Sequence, residues 1–147
     1  MTVMGSGLND ATAVTFGGVA ASSFSVASDA RLTVTVPRRA SSGRVRVITA
    51  IGTGVSAVRF TVKARIEQLT PTSARRGATV VVTGSGFGAK RALSFVRFGR
   101  VKCAIYRSWS RTRITCRVPA RASLGRLYVR VTTAAGPSRT KAFTVRR

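Results

Sequence analysis

Residues 79–88 read TVVVTGSGFG. A valine-rich run followed by three glycines at alternate positions has two opposed readings. In a phosphate-binding loop, the glycines precede a helix whose first amides hold the anion. In a β-sandwich, glycines in that pattern end a strand, take a bulge or a positive φ, and drop the next aromatic into the core. The residues that follow, AKRALSFVRFG (89–99), run into another strand-like segment, and no G-K-[ST] appears. A shorter relative of the motif, GSGL, occurs again at 5–8. Strand context and repetition both favour the structural reading, with Phe87 as a core residue.

The rest of the 147-residue chain agrees. Short runs of Val, Thr, Ile and Phe are split by Gly, Ser, Pro and Thr clusters, the pattern of pleated strands and turns. No window of helical length carries a 3.6-residue apolar period. The fold class is therefore all-β, with turns at the spacing of a sandwich. There is no apolar run of about 18 residues for a membrane helix, and no charged-then-apolar leader at the start.

Internal comparison divides the chain in two. AVTFGGVAA (13–21) matches FVRFGRVKC (95–103), and LTVTVPRRASSGRVRV (32–47) matches ITCRVPARASLGRLYV (114–129). Phe16 and Phe98, Gly17 and Gly99, Pro37 and Pro119, and Gly43 and Gly125 each stand 82 positions apart. FTV recurs at 60–62 and 143–145. The expected units are 1–63 and 64–147, joined near Lys63–Ala64. The second has a lead-in, ARIEQLTPTSARRGATVVV (64–82), for which the first has only MTV. The first copy thus lacks an opening strand, as in a fragment or a chain whose start is assigned late. That lack would leave an unpaired sheet edge.

Together LTPTSARRGATVVVTGSGFG, VRFGRVKCAIY and RITCRVPARASLGRLYVRVTTAAG resemble the TIG/IPT family. These immunoglobulin-like modules occur in plexins, some transcription factors and many bacterial surface proteins. The resemblance covers nearly all of the second copy, and the first from Thr2 to Val62. It implies two tandem immunoglobulin-like β-sandwiches. ARRG stands where the family often has a Gly-Gly turn.

Composition excludes much chemistry. There is no histidine, and Asp10, Asp29 and Glu67 are the only acids. Neither a His-based triad nor a carboxylate dyad can be assembled. Two cysteines do not close a zinc site. The expectation is a non-enzyme without catalytic residues, metal or cofactor. Against three acids stand 26 Lys and Arg, a net charge of +23. Residues 1–63 carry 7 bases and 2 acids, and residues 64–147 carry 19 bases and 1 acid. A polyanion-attracting surface would belong to the second copy. The bland reading, a solvated basic surface that binds nothing in particular, stands beside it.

Two site expectations follow. A two-residue turn at Trp109–Ser110 would set Cys103 opposite Cys116, within disulfide range. The alternatives are a disulfide and two buried thiols, and the family's extracellular examples favour the disulfide. The same pairing puts Lys102 opposite Arg117 and Tyr106 opposite Arg113. Strand alternation then turns Lys102, Arg113, Arg117, Arg126 and Arg130 outward as one basic face, with Tyr106 and Tyr128 between them. The implied role is a binding or spacer module of a larger bacterial cell-surface or secreted protein. It would be extracellular and hold an anionic cell-wall polymer or acidic polysaccharide. Alternatives are a nucleic-acid-binding module, which would lack a recognition helix, and an accessory domain beside an enzyme.

Overall fold

The computed structural model describes residues Met1–Arg147, and every regular element is a β-strand. The chain divides into two compact units, Met1–Val62 and Lys63–Arg147. Both are immunoglobulin-like sandwiches, in agreement with the fold class read from the sequence. No helix is long and apolar enough to cross a membrane.

Unit 1 contains β1 (Thr2–Met4), β2 (Ala11–Phe16), β3 (Val19–Ala20), β4 (Phe24–Ser28), β5 (Arg31–Val34), β6 (Gly43–Thr49) and β7 (Gly52–Phe60). One sheet has the order β1-β5-β4 and the other β3-β2-β6-β7. Alternation does the sorting: in β5, Leu32 and Val34 are buried while Arg31 and Thr33 are exposed. Leu32 and Val34 meet Val14, Phe16, Val45 and Val47 of the other sheet in one core. Phe60 closes on Phe16 edge to face, with ring centroids 5.0 Å apart.

Unit 2 contains β8 (Arg65–Thr70), β9 (Ser73–Arg75), β10 (Thr79–Ser85), β11 (Phe95–Phe98), β12 (Val101–Lys102), β13 (Tyr106–Trp109), β14 (Arg113–Arg117), β15 (Gly125–Thr133), β16 (Gly136–Pro137) and β17 (Lys141–Arg146). Its sheets run β13-β14-β10-β8 and β12-β11-β15-β17-β9, with β16 paired to β15. Setting β10 against β1 and β17 against β7 gives the strand orders of unit 1 plus β8 at the edge of one sheet and β9 at the edge of the other. Phe98 and Phe143 repeat the edge-to-face pair at 5.3 Å. One register differs. Phe16 sits opposite Val45, whereas Phe98 sits opposite Val129, which matches Val47 in sequence. A slip of two residues leaves every side chain on its own face, so both cores tolerate it.

The glycine motif at 84–88 is structural. Gly84 follows a bulge against β8, and a Cβ there would run into the Arg65 carbonyl oxygen and the Phe87 ring. Gly86 has φ 72°, and Phe87 is fully buried. The motif turns the chain off β10 and seals that end of the core.

The segment VKCAIYRS is not one strand, and this corrects the pairing expected from the sequence. β12 pairs with β11, so Lys102 sits opposite Arg97 rather than Arg117. The chain then crosses to the other sheet, where β13 pairs with β14 and Tyr106 sits opposite Cys116 rather than Arg113. A bulge at Arg107 and a longer turn, with Trp109 opposite Ile114, replace the two-residue turn at Trp109–Ser110. Cys103 lies in the crossover and points inward.

Both cysteines are buried free thiols in contact with each other. The Cys103 Sγ–H lies 3.1 Å from the Arg117 carbonyl and 3.3 Å from that of Ile105. Hydrogen bonding from Cys116 outweighs burial and brings the Cys103 thiol down to about 7. The same bond, with burial, pushes Cys116 up.

Two measurements test these features. Gly84→Ala should destabilise unit 2 by about 1–3 kcal/mol through overpacking against backbone. Gly54→Ala, whose Cβ would meet nothing closer than 3.8 Å, should shift unit 1 by less than about 0.5 kcal/mol. Oxidised glutathione should link Cys103 to Cys116, read as the loss of two hydrogens in intact mass. The bond would close a loop of about 14 residues, worth about 3 kcal/mol. Below pH 7 the reaction should slow as Cys103 takes its proton; in Cys116→Ala, where attack of Cys103 on oxidised glutathione stops at the mixed disulfide and releases glutathione, the midpoint of that step should move upward. Two thiols titrating in unfolded protein after oxidation would overturn the pairing.

Candidate functional site

The outer surface of the β12-β11-β15-β17-β9 sheet is built by alternation. Leu127, Val129 and Val131 of β15 face the core, so Arg126, Tyr128, Arg130 and Thr132 face solvent. On β11, Val96 and Phe98 face in, leaving Phe95 and Arg97 outside. Strand register sorts these residues into rows. Lys102, Arg97 and Arg130 stand directly opposite one another on three adjacent strands. Phe95 lies opposite Thr132, Tyr128 opposite Ala142, and Arg126 opposite Thr144. At the far edge Arg146 pairs with Arg75.

Like charges set directly opposite on a sheet repel. No acid stands in these rows, since Glu67, the one acid of the unit, lies on β8 in the other sheet. Part of the repulsion is relieved by Phe95: the Lys102 Nζ lies 4.3 Å and the Arg97 Cζ 5.2 Å from its ring centroid. Each such contact contributes about 0.5–1 kcal/mol at an exposed site. Phe95 thereby fixes where two cations stand. Tyr128 is 53% exposed and its ring is free of such partners. Phe95, Arg97, Tyr128, Arg130, Thr132 and Pro137 line a shallow open cavity of about 600 Å³.

The seven residues expected from the sequence do not form one face. Lys102, Arg126, Tyr128 and Arg130 share this sheet. Arg113 and Arg117 lie on β14, on the outer side of the opposite sheet, next to Thr83 and Thr79 of β10. The cause is the crossover between Lys102 and Tyr106, which moves the chain from one sheet to the other. Tyr106 is half-buried against the core rather than standing out on a sheet face. Its hydroxyl accepts a 2.8 Å hydrogen bond from the Val96 amide, tying the two sheets together, and Arg91 lies over its ring at 4.7 Å. Burial pushes its phenol up. Arg97 and Phe95 are the members that sequence reasoning missed. The alternation in FVRFG, which puts Val96 and Phe98 inside and Phe95 and Arg97 outside, was signal enough for both.

The cavity can seat a chain of rings and anions: an exposed aromatic face, the two cations Arg97 and Arg130, and hydroxyls at Thr132 and Thr140. The lining contains no acid, His or Cys, and no cluster of potential metal ligands occurs in the chain.

No curated protein matches the chain in sequence. Among solved structures, it resembles the surface glycan-binding protein PbSGBP-B from Prevotella bryantii, with a TM-score of 0.58 and 19% identity over 95% of this chain and 34% of that one. SGBP-B from a complex xyloglucan utilization locus in Bacteroides uniformis gives 0.50 and 16% over 98% and 44%. The gamma-CGTase from alkalophilic Bacillus clarkii gives 0.51 and 21% over 99% and 21%. The chain thus spans less than half the length of each, and these likenesses establish the shared sandwich fold. Residues 64–145, more than half of the chain, match the IPT/TIG domain, and the chain belongs to the IPT/TIG family.

Proposed function

We propose that this chain is a non-catalytic binding module of a larger cell-surface or secreted protein. Its second unit holds an acidic polysaccharide on the outer face of the β12-β11-β15-β17-β9 sheet. The observation that carries the reading is the Lys102–Arg97–Arg130 row. Three directly opposed cations without an acid among them are a cost to the fold that a bound polyanion offsets. Tyr128 lies along the strand from Phe95 by four residues of β15, about 14 Å at 3.4 Å per residue. The cations stand between the two aromatics. That order suits a polymer in which ring faces and acidic groups alternate: sugar against Tyr128, carboxylate or phosphate against Arg97 and Arg130. Surface glycan-binding proteins among the fold neighbours support a glycan as the class of ligand and the cell surface as the location.

Two further readings have a footing. An accessory domain beside an enzyme is favoured by the likeness to a stretch of the gamma-CGTase. It is compatible with glycan binding, since such a domain would carry its enzyme to a polymer. A nucleic-acid module would use the same cations on phosphates, with Tyr128 stacking on a base.

Charge reversal at Arg97, Arg126 and Arg130 together should weaken binding to polygalacturonate by more than tenfold. The same change at Arg107, Arg111 and Arg113 removes equal charge from the other side of the unit and should cost at most a few-fold. Tyr128→Ala should weaken binding several-fold without changing the salt dependence, and binding by the parent protein should fall from 50 to 300 mM salt as screening grows. Equal losses in the two triple variants would reduce the binding to net charge. Displacement by duplex DNA at far lower phosphate concentration than by polygalacturonate or a teichoic-type polymer would assign the face to nucleic acid. Undiminished binding of neutral xyloglucan by the Arg97 triple variant would take the cations out of the site.

A further inference from the structure

A second hollow of unit 2 lies between the crossover and the turn that follows β14. Val101, Ala104, Ile105, Val118 and Pro119 line it, and its volume is about 380 Å³. That is near the small end of sites for single molecules. Lys102, Arg117 and Arg121 also border it, and no acid does. The walls are tied together by main chain. The Arg117 amide donates to the Ile105 carbonyl at 3.0 Å. The Cys103 Sγ lies 3.1 Å from the Arg117 carbonyl oxygen and 3.3 Å from that of Ile105. The hollow is therefore part of the fold rather than the product of a loose loop.

Unit 1 shows that the fold does not require this lining. There the Thr35 amide donates to the Ser23 carbonyl at 3.0 Å, as Arg117 does to Ile105. The Ala40 amide donates to the Pro37 carbonyl, as Ala122 does to Pro119. On that shared backbone unit 1 has Ser22, Ser23 and Thr35 where unit 2 has Ala104, Ile105 and Arg117. It has Ala20 in place of Lys102, while Arg39 corresponds to Arg121. Unit 2 thus gathers both more apolar surface and more positive charge at one place. Ile105 is left 54% exposed at a corner where serine serves, and a bound apolar group would take that surface out of water. The charge is equally unanswered. Glu67 lies on β8, two strands from β14, in the bulge opposite Thr83 and Gly84, whereas Arg117 sits opposite Thr79. The Arg117 Nε is enclosed without a hydrogen-bond partner.

We propose that this hollow binds a small amphiphilic carboxylate, an acyl chain with a single anionic head. The chain lies against Val101, Ile105 and Val118, and the head lies among Arg117 and Arg121. A purely ionic ligand would leave the isoleucine in water, and a neutral one would leave the cations unanswered. Lys102 belongs both to this border and to the row with Arg97 and Arg130, so the variants below leave it in place. The proposal does not rest on the glycan reading.

The test titrates the whole chain with decanoate below its micelle concentration and follows the amide resonances by NMR. Saturable shifts should appear at Val101–Ile105 and Arg117–Arg121, with unit 1 unchanged. Decanoate should bind more tightly than hexanoate, since each methylene taken from water adds up to about fourfold. Decanol, the same chain without the charge, should bind several-fold more weakly than decanoate. Ile105→Ser and Arg117→Thr carry residues that unit 1 accepts on the same backbone, so both variants should fold. Each should weaken decanoate binding by about fivefold. Charge reversal at Arg97, Arg126 and Arg130 together should change it by less than about threefold at about 150 mM salt, which separates this site from the polymer face. The proposal is overturned by absence of saturable shifts at millimolar decanoate, by equal affinity for the two acids or for decanoate and decanol, or by undiminished binding in Ile105→Ser. Adsorption of the chain to phosphatidylglycerol vesicles without binding of free decanoate would give the hollow to a membrane surface and equally overturn it.

Discussion

A strand can give only one of its faces to a sandwich core, so a chain that must contribute to both sheets has to cross between them. In unit 2 that crossing falls between Lys102 and Tyr106, and much of the unit depends on it. It leaves Lys102 beside Arg97 on one outer surface and delivers Arg113 and Arg117 to the other. It turns Cys103 inward onto Cys116. It also lets the Tyr106 hydroxyl reach back to the Val96 amide of the sheet just left. A buried amide at such a corner would cost about 1–3 kcal/mol if unpaired, and Tyr106 supplies its partner. The aromatic ring that alternation had placed in solvent is thus a tie between layers.

Charge and packing are arranged differently in the two units. Unit 2 buries its core completely and spreads unbalanced positive charge over an outer face. Unit 1 carries much less charge and leaves apolar core residues half covered. At the positions of Arg97 and Lys102 it has Thr15 and Ala20, so no cation row can form. The two halves share a plan while offering different surfaces.

What could be read from the sequence was whatever depends on period two. The outward placement of Arg113 and Arg117 on β14 and of Arg126, Tyr128 and Arg130 on β15 followed from alternation. The glycine motif was legible because its neighbours were strands. The crossover was not, because VKCAIY contains no Gly or Pro to mark the change of sheet. The two-residue slip between β2–β6 and β11–β15 was equally hidden, since an even slip alters no side chain's face. Arg97 and Phe95 were missed although the same alternation exposes them.

The parallel pairing of β9 with β17 has a mechanical consequence. Ser73–Arg75 and Thr144–Arg146 lie near the entry and exit of unit 2 and run in the same direction. Tension applied through the two ends pulls these strands in opposite senses along their shared axis. The bonds between them are then loaded in shear, all at once, rather than opened one after another like a zip. A domain joined this way resists stretching through a contact only three residues long, and it yields abruptly when that contact fails.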